Sequence, residues 1–102
     1  VNILVSNVEV TNAEMLKQLS YELKGEVQNL YLVLGTVIND KPLLSVMLSD
    51  TLLEKGLNAN NIIKEISREI NGGGGGQPFY ATAGGKNPQG LENALKKAKE
   101  LV

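Results

Sequence analysis

Cysteine, histidine and tryptophan are absent from this 102-residue chain, and proline (three) and the aromatics (three Tyr, one Phe) are scarce. The lack of Cys rules out a disulfide framework. Without Cys or His, thiolate and imidazole metal sites, Ser-His and Cys-His nucleophilic pairs and the His general base are excluded as well. An excess of one charge is also missing: ten Lys and Arg against eleven Asp and Glu leave a net charge of −1. No global field draws the chain onto a polyanion, so any nucleic-acid contact has to be local. No apolar run approaches the roughly 18 residues of a membrane-spanning helix, and the N-terminus lacks the layout of a secretory signal. No membrane partner is therefore expected, and the missing cysteines fit a reducing, cytoplasmic compartment. The chain opens on Val1 rather than Met, as expected of a segment cut from something longer, and its length suits one small domain.

Hydrophobic patterning supplies the elements. Ile3 to Val10 is β-branched and partly alternating and reads as a strand. Thr11 with Glu14 forms a capping box ahead of Met15, Leu16, Leu19 and Leu23 at helical spacing, and Lys24-Gly25 is expected to end that helix. Leu30 to Ile38 is apolar at nearly every position, the mark of a strand covered on both faces and the candidate sheet centre. Asn39-Asp40-Lys41-Pro42 is a turn, and Leu44, Val46 and Leu48 alternate in the returning strand of a hairpin. Thr51 and Glu54 suggest a short helical turn closed by Gly56. Asn58 or Asn60 can then cap a helix with the stripe Ile62, Ile63, Ile66 and Ile70. Phe79 to Ala83 reads as a short strand, and Asn87-Pro88 as the start of a last helix carrying Leu91, Ala94, Leu95, Ala98 and Leu101. The order β-α-β-β-α-α-β-α predicts an α/β (α+β) single domain, a mixed β-sheet of about four strands packed by helices.

Glycine is the residue in excess. Eight of the eleven lie between positions 72 and 90, and Gly72, Gly73, Gly74, Gly75 and Gly76 are consecutive. A flexible linker is the plain reading of such a run. Here both ends are anchored inside one domain, so a structured loop is expected instead. Its glycines would allow φ > 0 and let backbone N–H groups approach an anion closely. In a surface loop of this kind, Gly74→Val should disturb binding and lower the thermal midpoint only slightly. The standard nucleotide motifs fail. A Walker A loop ending at Gly85-Lys86 would need glycine where Tyr80 stands and Ser or Thr where Asn87 stands, and a dinucleotide fingerprint would need the glycines after a strand rather than after a helix.

The segment GGGGGQPFYATAGGK, residues 72 to 86, resembles the C-terminal domain of alanyl-tRNA synthetases, and the upstream element order extends the resemblance over residues 1 to 102. That family usually has a basic residue where Gln77 stands. The resemblance implies a tRNA-binding accessory domain that docks the outer corner of tRNA and can contribute to a homodimer. It has no catalytic residue, metal ligand or cofactor of its own. ATP and zinc belong to catalytic and editing domains expected upstream in the same chain. A related domain accompanies DHH phosphoesterases, where a similar glycine run ends in His and holds a nucleotide; Gln77 replaces that His. A pure oligomerisation module is a further alternative.

The residues expected to meet RNA are Gly72 to Gly76, Gln77, Gly84, Gly85, Lys86, Asn87, Lys64 and Arg68. Lys86 lies between a diglycine turn and a helix start, where backbone donors and a partial positive charge would favour phosphate. Lys64 and Arg68 stand one turn apart, facing away from the Ile stripe, with Glu65 and Glu69 as alternative partners. From Asn71 onward four lysines oppose two glutamates, although Lys96, Lys97 and Lys99 read more simply as a solvated face. Of Phe79 and Tyr80, alternation makes one core and the other partly exposed, with stacking on a base as the functional alternative.

Overall fold

Strand β2, Leu30–Ile38, has no charged residue and is buried from Leu30 through Thr36, so it needs cover on both faces and a neighbour on each edge. In the computed structural model, which describes residues 1–101, it has all four. Strand β1 (Asn2–Asn7) pairs with it in parallel, and β3 (Lys41–Leu48) pairs antiparallel on its other side. The β2–β3 turn is a two-residue loop with Asn39 and Asp40 at φ 51° and 64°, the left-handed pair that a tight hairpin requires. Beyond β3 come β5 (Tyr80–Gly84) and, at the far edge, β4 (Gly73–Gly76), both antiparallel to their neighbours. The sheet order is β1-β2-β3-β5-β4, which makes β3 rather than β2 the central strand.

Helices cover both faces. Helix α1 (Ala13–Glu26) crosses from β1 to β2 and seals one face, with Leu16 packed against Leu30, Leu32, Leu34 and Met47. On that face the Ser20 and Ser45 hydroxyls lie 3.1 Å apart, and Ser20 also donates to the Leu16 carbonyl. The other face carries α2 (Asp50–Glu54), α3 (Ala59–Ile66), a 3-10 turn over Ser67–Ile70 and α4 (Leu91–Glu100). Their Ile62, Ile63, Ile66, Ile70, Leu91 and Leu95 pack on Tyr31, Val33, Leu44 and Val46. Tyr31 is fully buried in this layer, with its hydroxyl donating to the Ala98 carbonyl at 2.7 Å.

The mixed α+β fold is as expected, and its element ends differ in detail. The N-cap of α1 is Asn12, which accepts from Met15 N, while the Thr11 hydroxyl turns to the Met15 sulfur. Gly25 does not stop α1, which runs on to Glu26. Ser49, not Thr51, precedes α2, and Thr51 donates to Asn29. Asn58 caps α3. Pro88 opens a 3-10 turn, Pro88–Gly90, and α4 itself begins at Leu91.

The main departure is the glycine run. It is a fifth strand, not a loop with φ > 0, since among the described residues the one glycine with positive φ is Gly56. The reason is contact distance. A Cβ on Gly72 would stand 2.1 Å from the Gly84 carbonyl oxygen, one on Gly74 2.0 Å from that of Thr82, and one on Gly76 2.5 Å from that of Tyr80. A Cβ on Gly73 would meet nothing within 4 Å. Alternate glycines therefore let β4 lie against β5 closer than side chains permit.

This geometry overturns the expectation that a side chain at Gly74 would hardly affect stability. Gly74→Ala should cost about 1–3 kcal/mol from overpacking, lowering Tm by on the order of 10 °C, whereas Gly73→Ala should leave Tm nearly unchanged. Paired thermal melts followed by circular dichroism check the contrast; equal Tm values would show β4 free to move off β5. A second expectation concerns base. Burial pushes the Tyr31 hydroxyl up from 10.0 to about 12. The folded state holds this proton more tightly, so the contribution is fully present below pH 10 and lost as pH rises toward 12. Tyr31→Phe should lower stability at neutral pH through the lost hydrogen bond, by about 1 kcal/mol, and should flatten the fall above pH 10 in denaturant titrations.

Candidate nucleic-acid interface

The hydrogen-bond phase of β4 decides what its edge presents. Gln77 N donates to the Tyr80 carbonyl at 2.8 Å and Tyr80 N donates back to the Gln77 carbonyl at 3.2 Å, so these two form a closely spaced antiparallel pair. Alternation from that pair turns the N–H and C=O groups of Gly76, Gly74 and Gly72 away from β5. Two of these outward donors are met from the α3 side: Gly76 N donates to Asn60 Oδ1 at 3.2 Å, and Gly72 N to the Ser67 carbonyl at 3.0 Å. Gly74, between them, has no such partner among the described residues. Its N–H and C=O are an open hydrogen-bonding pair at the middle of the edge.

The same two bonds fix α3 antiparallel to β4, with Asn60 beside Gly76 and Ser67 beside Gly72. Lys64 is one turn beyond Asn60 on the row that runs along the glycine edge, whereas Arg68 lies past the end of α3, in the 3-10 turn that leads into β4. Both are exposed. Neither has a carboxylate at salt-bridge distance; the one ion pair among the described residues joins Glu65 to Lys97 at 3.4 Å. Glu65 is thereby drawn toward α4, and the alternative pairing of Lys64 with it is not made.

Lys86 follows β5 at the Gly72 end of this edge, exposed and without an ion pair among the described residues. Its backbone is already used: Lys86 N and Asn87 N both donate to the Ile70 carbonyl, each at 2.9 Å. The expected help from helix-start donors is therefore unavailable at these two positions, and Lys86 offers its ammonium alone. Gly85 donates to the Pro42 carbonyl, and a Cβ there would stand 2.3 Å from the Ile70 oxygen, so this glycine serves the packing of the turn. Gly84 closes β5 opposite Gly73. Asn87 is half-buried and its side chain makes no capping bond. Gln77 is exposed at the other end of the edge. Gly72 to Gly76, Lys64, Arg68 and Lys86 thus share one border of the sheet, with Gly84, Gly85 and Asn87 as its frame.

Phe79 and Tyr80 are both half-buried; Tyr80 packs against the core layer under α1, as one of the pair was expected to, and Phe79 lies outside both core clusters. Tyr80 packs on Tyr21 with ring centroids 5.6 Å apart at 55°, and the Lys24 ammonium sits 4.9 Å from the Phe79 ring centroid. Burial first, then the neighbouring Tyr21 and Glu14, raises the Tyr80 pKa. Sequence reasoning missed Tyr21 and Lys24, and it missed Asn60 as the residue that ties α3 to the glycine edge. Their only sequence signal was position on an amphipathic helix, which does not say which strand the helix meets.

Comparison with known proteins narrows the reading. The chain is 47% identical over 103 residues to an alanine–tRNA ligase of Cytophaga hutchinsonii and 53% identical over 91 residues to one of Bacteroides fragilis, with 100% and 88% of this chain covered. It spans only 12% and 10% of the length of those relatives. The crystal structure of the C-Ala domain from Aquifex aeolicus alanyl-tRNA synthetase matches with a TM-score of 0.86 at 28% identity, covering 96% of this chain and 87% of that one. The resemblance carried by residues 72 to 86 is borne out over the whole fold. The DHHA1 domain family model matches residues 1–102, and the chain belongs to that family.

Proposed function

We propose that residues 1 to 102 are the C-terminal accessory domain of an alanine–tRNA ligase, and that the domain docks tRNA through the β4 edge. The observation that carries this reading is the open Gly74 N–H and C=O pair bordered by Lys64, Arg68 and Lys86, three cations with no carboxylate partner among the described residues. Backbone amides and unpaired cations together suit phosphate and ribose oxygens, and they do so without reading sequence. The names of the relatives and the match to a synthetase C-terminal domain support the same conclusion. The ATP-dependent ligation and the zinc-dependent editing belong, in this reading, to other parts of the longer protein, which acts in the cytoplasm. Among the described residues no helix is long and apolar enough to cross a membrane.

The phosphoesterase alternative has less support. Gln77 stands where that family's nucleotide-holding His would be, the sequence has no His, and the relatives are ligases. It would require measurable affinity for short nucleotides, which tRNA docking by phosphate contacts does not.

Fluorescence anisotropy of labelled alanine tRNA across a salt series tests the proposal. Neutralising two or three phosphates gives a log-log salt slope of roughly −2 to −3. Lys64→Ala, Arg68→Ala and Lys86→Ala should each weaken binding and flatten that slope by about one charge with Tm unchanged. Undiminished affinity in all three would move the binding surface elsewhere. The isolated chain should also show no alanine-dependent ATP–pyrophosphate exchange and no deacylation of mischarged tRNA; activity above a contaminant control would contradict the accessory role.

A further inference from the structure

Of the eleven asparagines in the chain, Asn71 alone is followed by glycine. An Asn-Gly pair is open to spontaneous deamidation, in which the amide nitrogen of the second residue attacks the side-chain carboxamide of the first, and glycine puts no side chain in the way. The ring that forms closes only when Gly72 N eclipses Asn71 Cβ about the Cα–C bond. Tetrahedral geometry at an L-residue then requires ψ to lie a third of a turn to the negative side of zero.

The fold holds this pair far from that arrangement. Asn71 ends the 3-10 turn Ser67–Ile70 in the left-handed conformation, φ 52° and ψ 47°. Such a ψ sets Gly72 N nearly anti to Cβ, as far from the carboxamide as rotation allows. The nucleophile is also engaged, since Gly72 N donates to the Ser67 carbonyl at 3.0 Å. Turning Asn71 toward ring closure, by almost half a turn, would pull Gly72 off that carbonyl. It would also pull Gly72 away from Gly84, against which it lies so closely that a Cβ would stand 2.1 Å from the Gly84 oxygen. Burial gives no protection, because Asn71 is exposed. The seated backbone at the entry to β4 is what blocks the reaction.

We propose that Asn71-Gly72 is a self-modification site gated by β4: it deamidates only from a state in which the start of β4 has left β5, and its isoaspartyl product cannot reseat. In the open state Gly72 N loses its proton to solvent and attacks Asn71 Cγ. The bond from Cγ to the side-chain nitrogen breaks, ammonia leaves, and a five-membered succinimide remains. Water then adds to one ring carbonyl and breaks its bond to Gly72 N. Opening at Cγ gives aspartate, and opening at the main-chain carbonyl gives isoaspartate; neither step needs an oxidant or reductant. Isoaspartate routes the main chain through Cβ and Cγ, which inserts one atom ahead of Gly72. With no clearance at Gly84, β4 then loses its register on β5. Either product also brings a carboxylate beside Arg68 and Lys86, which bond through their backbones to Asn71 and Ile70. The site is independent of the tRNA docking proposed above, because its readout is covalent.

Peptide mapping by mass spectrometry after incubation at mildly alkaline pH, with hydrogen exchange of the Gly72 amide on the same sample, tests this. In denaturant Asn71 should react faster than every other asparagine. In the folded chain its rate should fall by the factor that protects Gly72 from exchange, on the order of a hundredfold or more, since both processes go through one opening. Gly74→Ala, which overpacks β4 on β5, should speed the folded-state reaction about tenfold, while Gly73→Ala leaves it unchanged. Both variants should match the parent in denaturant, which separates gating from intrinsic reactivity. The purified isoaspartyl chain should have a lower Tm and a freely exchanging Gly75 amide, the one that faces β5 opposite Thr82. Deamidation of the folded parent at the denatured rate overturns the proposal, even where Gly74→Ala fails to fold. So does slowing unrelated to Gly72 protection, or an isoaspartyl chain that protects Gly75 as the parent does.

Discussion

The rest of the structure depends on how closely one strand backbone approaches another. At Gly72, Gly74 and Gly76 the space a Cβ would occupy is already taken by the carbonyl oxygens of β5. That approach keeps β4 in the sheet despite its having no side chain to bury. It also sets the distance at which α3 rides over the edge, since Asn60 bonds the Gly76 amide and a Cβ on Gly75 would stand 2.9 Å from the Asn60 oxygen. Polyglycine is the poorest strand former on entropic grounds. It is held here by ladder bonds to β5 on one side and by two bonds from the α3 side, to the Gly72 and Gly76 amides, on the other.

The consequence for chemistry is that the glycine run presents backbone, not side chains. A strand of ordinary residues would lift its Cβ atoms above the sheet and hold a ligand away from the peptide groups. In β4 the peptide groups are the surface. Close approach recurs after β5: Gly85 and Gly90 abut the Ile70 and Glu69 carbonyls, locking the chain there against the end of the 3-10 turn Ser67–Ile70. Lys86 is consequently placed by backbone bonds to Ile70 rather than by its own side chain.

Much of this fold was legible in the sequence. The apolar run Leu30 to Ile38 and the Asn39-Asp40 turn each have one physically sensible structure and adopt it, and the stripe Ile62, Ile63 and Ile66 forms the expected helix, with Ile70 carried on a 3-10 turn beyond its end. The glycine strand was not legible, because its strand character comes from what lies beside it. No local propensity favours β structure at Gly73–Gly76, and the steric fit to β5 exists only in the assembled sheet. The cap at Asn12 in place of Thr11 is a smaller case of the same kind, where two neighbouring residues can each satisfy the same amide and the approach of the preceding strand chooses between them. For the candidate site, residue types were readable and relative positions were not. Lys64, Arg68 and Lys86 could be singled out, but only the antiparallel seating of α3 on β4 aligns Lys64 with the run, and only the 3-10 turn after α3 carries Arg68 toward its Gly72 end.

A net charge of −1 therefore says little about what the surface offers. The fold sorts the charges by border. Glu65, which shares a helix with Lys64, is turned to Lys97, so among the described residues that edge keeps cations without a carboxylate at salt-bridge distance. At the other border β1 has no charge at all, and the nearest ionic groups stand on α4 in an order that reverses along the helix. One edge is thus backbone bordered by cations; the other is a strand without charge that leaves Ile3 and Leu4 exposed. Two open edges of like character on one sheet would compete for the same partners and favour open-ended stacking of chains. Edges of unlike character remove that competition, and the residue that makes them unlike is glycine, because β4 lacks the side chains on which an apolar edge depends.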